Sequence, residues 1–166
     1  MTSVLVSACL LGEKVRYNGA AAATTDAILT RWLEEGRVVS FCPEVAGGLG
    51  VPRPAAEIRD GGGEAVLDAR APVVTREGID VTGNFLDGAC KALNAARARG
   101  VRLAVLKDGS PSCGSSWIYD GTFTGARREG RGATAALLER HGIRVFNERQ
   151  LREAQDYLTM LEAGAA

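Results

Sequence analysis

Short apolar runs recur along this chain, and each gives way to a helical pattern or to a polar, glycine-rich stretch. Segment 3–8, Ser3-Val4-Leu5-Val6-Ser7-Ala8, reads as a short strand buried on both faces. Further strands are expected over 37–41, 102–106 and 143–146. Thr24, Thr25 or Asp26 is placed to cap a helix that runs to Glu35 and stops at Gly36. Phe85, Leu86, Ala89, Cys90, Leu93 and Ala96 recur at helical spacing. They predict a helix from a Thr82 cap to Arg99, with Cys90 packed in the core as a small hydrophobe. Residues 133–141 read as another helix, ending at Gly142, and Asn147 with Gln150 suggests a capping box before a C-terminal helix to Ala163. Val73-Val74-Thr75 and Ile79-Asp80-Val81 flank Glu77-Gly78 and predict a hairpin over 72–82. Stretches 42–63 and 107–132 have little periodicity, although the second has room for a short hairpin. Irregular segments of that length in a compact domain are usually functional.

Strands alternating with helices predict an α/β fold. The expectation is a single-domain, Rossmann-like open sheet over residues 1–166. It is mostly parallel, with helices on both faces and long loops at the carboxyl ends of the strands. Composition adds constraints: 46% of the residues are hydrophobic, 24% are charged, and 20 basic residues balance 20 acidic ones. Zero net charge argues against a binder of nucleic-acid polymers and for a small-molecule partner. No apolar run approaches the roughly 18 residues of a spanning helix, so no membrane partner is expected. Met1-Thr2-Ser3 has no charged region ahead of its apolar run. The reading is therefore no signal peptide and a cytoplasmic protein, where thiols stay reduced and disulfides are rare.

The candidate chemistry lies in the cysteines. Cys9, Cys42 and Cys113 each follow an expected strand, and open parallel sheets bind ligands beyond the carboxyl ends of their strands. Three lone thiols converging there point to a metal or an iron–sulfur cluster. A structural zinc site needs four ligands, often from paired knuckles, and neither the knuckles nor a fourth ligand is evident. The sole histidine, His141, falls near a helix end and is a poor ligand candidate. A cubane held by three cysteines leaves one iron open as a Lewis acid. The residues alone leave other readings standing: a redox sensor or sulfur carrier, a zinc hydrolase or deaminase, and a Cys113 nucleophile or persulfide enzyme. The deaminase pattern H-x-E with P-C-x-x-C is absent, and no histidine lies near the Cys113 motif to activate a nucleophile.

Several motifs carry a resemblance. They are Ser7-Ala8-Cys9-Leu10-Leu11-Gly12, Val15-Arg16-Tyr17-Asn18-Gly19, Cys42-Pro43-Glu44-Val45-Ala46-Gly47-Gly48-Leu49 and Pro52-Arg53-Pro54-Ala55-Ala56-Glu57. Asp80-Val81-Thr82, Leu106-Lys107-Asp108-Gly109-Ser110-Pro111-Ser112-Cys113-Gly114 and Ile118-Tyr119-Asp120-Gly121-Thr122-Phe123-Thr124-Gly125 follow. In this order they resemble the bacterial thiouracil desulfidase family, once a domain of unknown function. The chain departs from the pattern at Asn18, where Asp is expected, and at Asp108-Gly109, where a longer charged pair is common.

The resemblance implies a [4Fe-4S] cluster on Cys9, Cys42 and Cys113, loaded by iron–sulfur assembly machinery, and non-redox removal of sulfur from thiouracils or thiouridine nucleotides. It implies that Glu44 and Ser110 act beside the cluster. The expected reaction binds the substrate sulfur to the open iron, lets water attack the adjacent carbon with Glu44 as base, and releases hydrogen sulfide. Ser110 orients the ring or relays a proton. Arg16, Arg53, Lys107, Ser115 and Ser116 are candidates to hold a substrate phosphate, and Tyr17 and Trp117 to stack a base. Glu57 and Asp120 are candidates to support arginine or loop amides.

Overall fold

In the computed structural model, which describes residues 1–164, four short parallel strands form the central sheet. They are β1 (Val4–Ser7), β2 (Val38–Phe41), β5 (Leu103–Leu106) and β8 (Arg144–Asn147), in the spatial order β2-β1-β5-β8. β1 pairs with β2 on one side and β5 on the other, and β5 pairs with β8, all in parallel register. Chain order reverses direction between β1 and β5. That is the switch point at which doubly wound sheets open a crevice for ligands.

Helices cover both faces of the sheet. Val4, Val6, Leu103 and Val105 face one way, onto Leu29 and Trp32 of α1 (Ala27–Glu34) and Leu151, Ala154 and Leu158 of α6 (Leu151–Glu162). Leu5, Ala104, Leu106 and Val145 face the other way, onto α4 (Thr82–Ala98) and α5 (Ala133–Arg140) through Leu93, Ala96, Ala135 and Leu138. Burial on both faces explains why β1 and β5 read as unbroken apolar runs. Among the three candidate caps of α1 it is Asp26 that works, accepting the Ile28 amide at 2.7 Å.

The irregular stretches contain more structure than their sequence suggests. Cys42 opens α2 (Pro43–Ala46), a single turn, and β3 (Ala56–Ile58) and α3 (Gly63–Leu67) follow. β3 pairs antiparallel with β4 (Val73–Thr75). The expected 72–82 hairpin forms only in part. Its turn closes with Gly78 N–H donating to Thr75 O, but residues 79–81 contribute one bridge, Asp80 to Val74, while β4 spends its ladder on β3. In the 107–132 stretch, β6 (Trp117–Tyr119) and β7 (Arg127–Glu129) make the short hairpin. Ile58, Val66, Val73, Phe85 and Ile118 gather into a smaller core beneath these segments.

Three expectations change. Cys90 is exposed on α4, not in the core. The buried face of that helix is Phe85, Gly88, Ala89, Ala92, Leu93 and Ala96, and Cys90, one residue past Ala89, turns about 100° away from it. Thr82 does not cap α4. Its hydroxyl accepts the Val73 amide, and Asp80 Oδ1 takes the Thr82 amide at 2.8 Å instead. Gln150 does accept the Asn147 amide, but Asn147 Oδ1 turns to the Arg149 amide, so the pair braces the turn before α6.

α2 is seated directly on α4. A Cβ on Gly88 would lie 2.0 Å from Pro43 O, and one on Gly47 would lie 2.1 Å from Asn84 O. Only glycine permits this approach. It fixes the backbone that carries Cys42 and Glu44.

Candidate active site

The three strand-end thiols line one cavity of about 330 Å³ at the switch point. Cys9 lies in a 3-10 turn, Ala8–Leu11, directly after β1. Cys42 follows β2, and Cys113 lies in the loop after β5. All four cysteines are free thiols, so no disulfide competes. Cys9 and Cys113 are buried, Cys42 half-buried. Burial, and then the nearby Cys42, pushes the Cys9 thiol up to about 11. Burial pushes Cys113 up to about 12, against the pull of the Ser112 and Ser7 hydroxyls, and burial also raises Cys42.

The Cys113 loop is wound around a buried carboxylate. Asp108 Oδ1 accepts the amides of Gly109, Ser115 and Ser116 at 3.0–3.1 Å. Asp108 Oδ2 takes the Ser116 hydroxyl and Arg149 Nη2, the latter at 2.7 Å. Burial alone would raise this carboxyl, but the Ser116 hydroxyl, the amides and Arg149 outweigh it and hold it at about 2. Gly109 takes φ +86°, and a Cβ there would lie 2.4 Å from the Trp117 ring. Beyond the loop, the amides of Ala133 and Thr134 at the start of α5 donate to Pro111 O and Ser112 O.

Glu44 faces the same cavity and is held at both oxygens. Its Oε1 accepts Arg53 Nε at 3.1 Å, and its Oε2 accepts Ser112 Oγ at 2.9 Å and Ser110 Oγ at 3.2 Å. Ser110 Oγ in turn accepts the amides of Ser112 and Cys113, both at 3.0 Å. Glu44 and Ser110, 66 residues apart in sequence, therefore meet beside Cys113. Ser7 Oγ accepts the Lys107 amide at 3.0 Å and donates to Cys113 Sγ at 3.6 Å.

The remaining candidates divide. Arg16, Tyr17, Lys107 and Trp117 line the cavity. Lys107 pairs with Glu148 at 3.0 Å, and Tyr17 is 42% exposed at the mouth. Arg53 lines it too, but its guanidinium is spent on Glu44, Val15 O and Gly50 O, and its side chain is only 6% exposed. Three of its five N–H groups are thus engaged, and it braces the site. Ser115 and Ser116 do not line the cavity: Ser115 Oγ is buried, and Ser116 Oγ serves Asp108. His141 is exposed beside Arg97, far from the thiols in the fold's layout. Glu57 Oε1 accepts the amides of Gly121 and Phe123, and Asp120 accepts that of Thr122.

Sequence reasoning passed over Ser7, Ser112, Arg76, Tyr119 and Phe123, all of which line the cavity. Ser112 sits next to Cys113 and Ser7 two residues before Cys9, a signal that was available. Arg76 reaches the cavity from the end of β4 and Phe123 from the loop after β6, and Arg76 lies above the Phe123 ring at 5.3 Å.

The donor set fits an iron–sulfur cluster. Among the described residues, no three His, Cys, Asp or Glu side chains gather tightly enough for a single metal ion. A cubane asks for something different: thiolates spread around a cavity, each on its own iron, with polar hydrogens near the sulfurs. Cys9, Cys42 and Cys113, with Ser7 and Ser112 against Cys113 Sγ, meet that description.

The model of the 2-thiouracil desulfurase family matches residues 4–150. The chain is 45% identical to the uncharacterized protein YbbK of Bacillus subtilis strain 168, over 90% of this chain and 98% of that protein. A solved structure of a [4Fe-4S]-dependent thiouracil desulfidase, TudS, superposes with a TM-score of 0.89 at 49% identity, covering 96% of this chain and 99% of that one. The family model spans every motif quoted above, and the chain belongs to the 2-thiouracil desulfurase family.

Proposed function

We propose that this chain carries out [4Fe-4S]-dependent, non-redox desulfuration of thiolated pyrimidines, thiouracil or 4-thiouridine-type nucleotides. Water replaces the sulfur, and the products are hydrogen sulfide and the uracil or uridine compound. The observation that carries the reading is the meeting of three free thiols from three strand ends with Glu44 and Ser110 around one cavity.

Cys9, Cys42 and Cys113 would hold the cluster, supplied by the cell's assembly machinery. When bound, it offers an open iron as a Lewis acid toward the thiocarbonyl sulfur. The chain supplies the rest. Glu44 accepts the proton of the attacking water. A carboxylate has about four acceptor sites. Oε2 already takes two hydroxyls, while Oε1 takes only Arg53 Nε, so Oε1 is the atom with room for that proton. Arg53 fixes the direction in which Oε1 points. Ser110, whose oxygen is occupied by two amides, directs its single proton toward Glu44 or Ser112 and is placed to relay it. Tyr17, Trp117, Tyr119 and Phe123 give the walls aromatic surface for a planar ring. Arg16 and Lys107, which line the cavity, are the cations proposed to meet a nucleotide phosphate.

Glu44→Gln tests the assignment of the base. It keeps the shape but removes basicity and puts an amide donor where one acceptor oxygen stood, so turnover should drop by roughly 10²–10⁴ with iron content unchanged. Wild-type turnover in that variant refutes Glu44 as the base.

A further inference from the structure

We propose that Ser112 is a positioning residue of this site, its hydroxyl coupling the Glu44 carboxylate to the Cys113 sulfur. The proposal rests on the reading of Glu44 given above. Ser112 is 1% exposed, and its Oγ lies 2.9 Å from Glu44 Oε2, 2.8 Å from Ser110 Oγ and 3.6 Å from Cys113 Sγ. No other side chain of the cavity touches the base, the serine and a thiol at once.

The position is not free to relax. Ser112 N–H donates to Ser110 Oγ, and Ser112 O accepts the amides of Thr134 and Ala135 at 2.9 and 3.1 Å. Its backbone is thus locked to the start of α5, and its side chain can only turn among the three polar neighbours. A hydroxyl has one proton to give. Ser110 Oγ is filled by two amides, so its proton goes to Glu44 or to Ser112. When Ser112 donates to Glu44, Ser110 is free to do the same, and Oε2 is held by both hydroxyls. When Ser112 donates to Cys113, Ser110 alone holds Glu44 Oε2. The placement of Glu44 therefore depends on what Cys113 Sγ accepts, and Ser112 is the link.

A double-mutant cycle between Ser112→Ala and Glu44→Gln tests this, because coupled residues are non-additive whereas a merely structural loss adds. It is read twice: as kcat and KM for thiouracil on the cluster-loaded protein, and as the urea midpoint of the cluster-free protein. Ser112→Ala should bind iron as wild type does and lower kcat by roughly ten- to hundredfold at unchanged KM, the size expected for a hydrogen bond to a charged group. In the Glu44→Gln background the same change should cost less than about twofold, and the urea midpoints should also be non-additive. Additivity in either readout, or wild-type kcat in Ser112→Ala, overturns the proposal. Wild-type turnover in Glu44→Gln alone would instead remove the base assignment, leaving the urea cycle to decide whether Ser112 and Glu44 are coupled. Should Ser112→Ala fail to fold, Ser112→Gly removes the hydroxyl together with its Cβ, and the same cycle is run on it.

Discussion

Two loops deliver thiols to the same cavity and are built in opposite ways. The Cys113 loop carries its own support: Asp108, 2% exposed, gathers the amides and the hydroxyl of residues 109–116 about one carboxylate. The segment after Cys9 has no such centre. It closes small turns, such as Gly19 N–H to Arg16 O and Ala20 N–H to Asn18 Oδ1, and is tied down from outside. Arg53 does the tying, with its amide on Tyr17 O at 2.8 Å and its guanidinium on Val15 O at 2.9 Å. One thiol is placed by a hub within its loop; the segment that follows the other is pinned by a staple that also holds Glu44. Damage to the hub should therefore act on folding first, and damage to the staple on chemistry first.

The largest effect is expected at the hub. Asp108→Ala leaves several buried donors without an acceptor, which should cost about 3 kcal/mol or more in urea unfolding and lower the iron bound. The pH dependence follows from the depressed pKa. Asp108 titrates at about 2 in the folded chain against an ordinary 3.8. Its contribution, about 2 kcal/mol, is complete above about pH 4 and is lost as the pH falls toward 2. Asp108→Asn should lack that acid-side slope, and an unchanged slope would mean that another group carries it.

Next comes the staple. Arg53→Ala should lower turnover roughly tenfold to a hundredfold, by freeing Glu44 and the Val15 segment, with a smaller loss of stability. Arg53→Lys restores the charge but not the fork to three acceptors, so it should recover only part of the activity. A variant that loses affinity for nucleotides while keeping full turnover of the free base would instead make Arg53 a phosphate ligand.

The contrast also marks what the sequence made legible. The strands were readable because two-sided burial leaves continuous apolar runs, and the thiols were readable because they follow those runs. Cys90 was not. Its spacing from Leu86 and Leu93 fits a helical stripe, yet the buried face of α4 is set by the small residues Gly88, Ala89, Ala92 and Ala96 that admit neighbouring helices. The partner of β4 was hidden for another reason: β3 has three residues, too few to show a period. Asp108 offered a turn signal, Asp before Gly, but the burial that makes it a hub appears only when residues 115–149 close around it. Arg53 drew attention as a cation, and only the fold reveals that it already holds Glu44, Val15 and Gly50.

The smallest effect is expected at Cys90. Cys90→Ala, at an exposed position, should alter stability by no more than about 0.5 kcal/mol and leave iron content unchanged.

That variant is also the control for the most direct measurement: iron and acid-labile sulfide per chain after anaerobic reconstitution, with Cys9, Cys42, Cys113 and Cys90 each replaced by Ala. The account predicts about four irons and four sulfides in the parent and in Cys90→Ala, with loss of a stable cluster in each of the other three. A colourless parent that binds zinc and no iron, or a cluster that depends on Cys90, would contradict it.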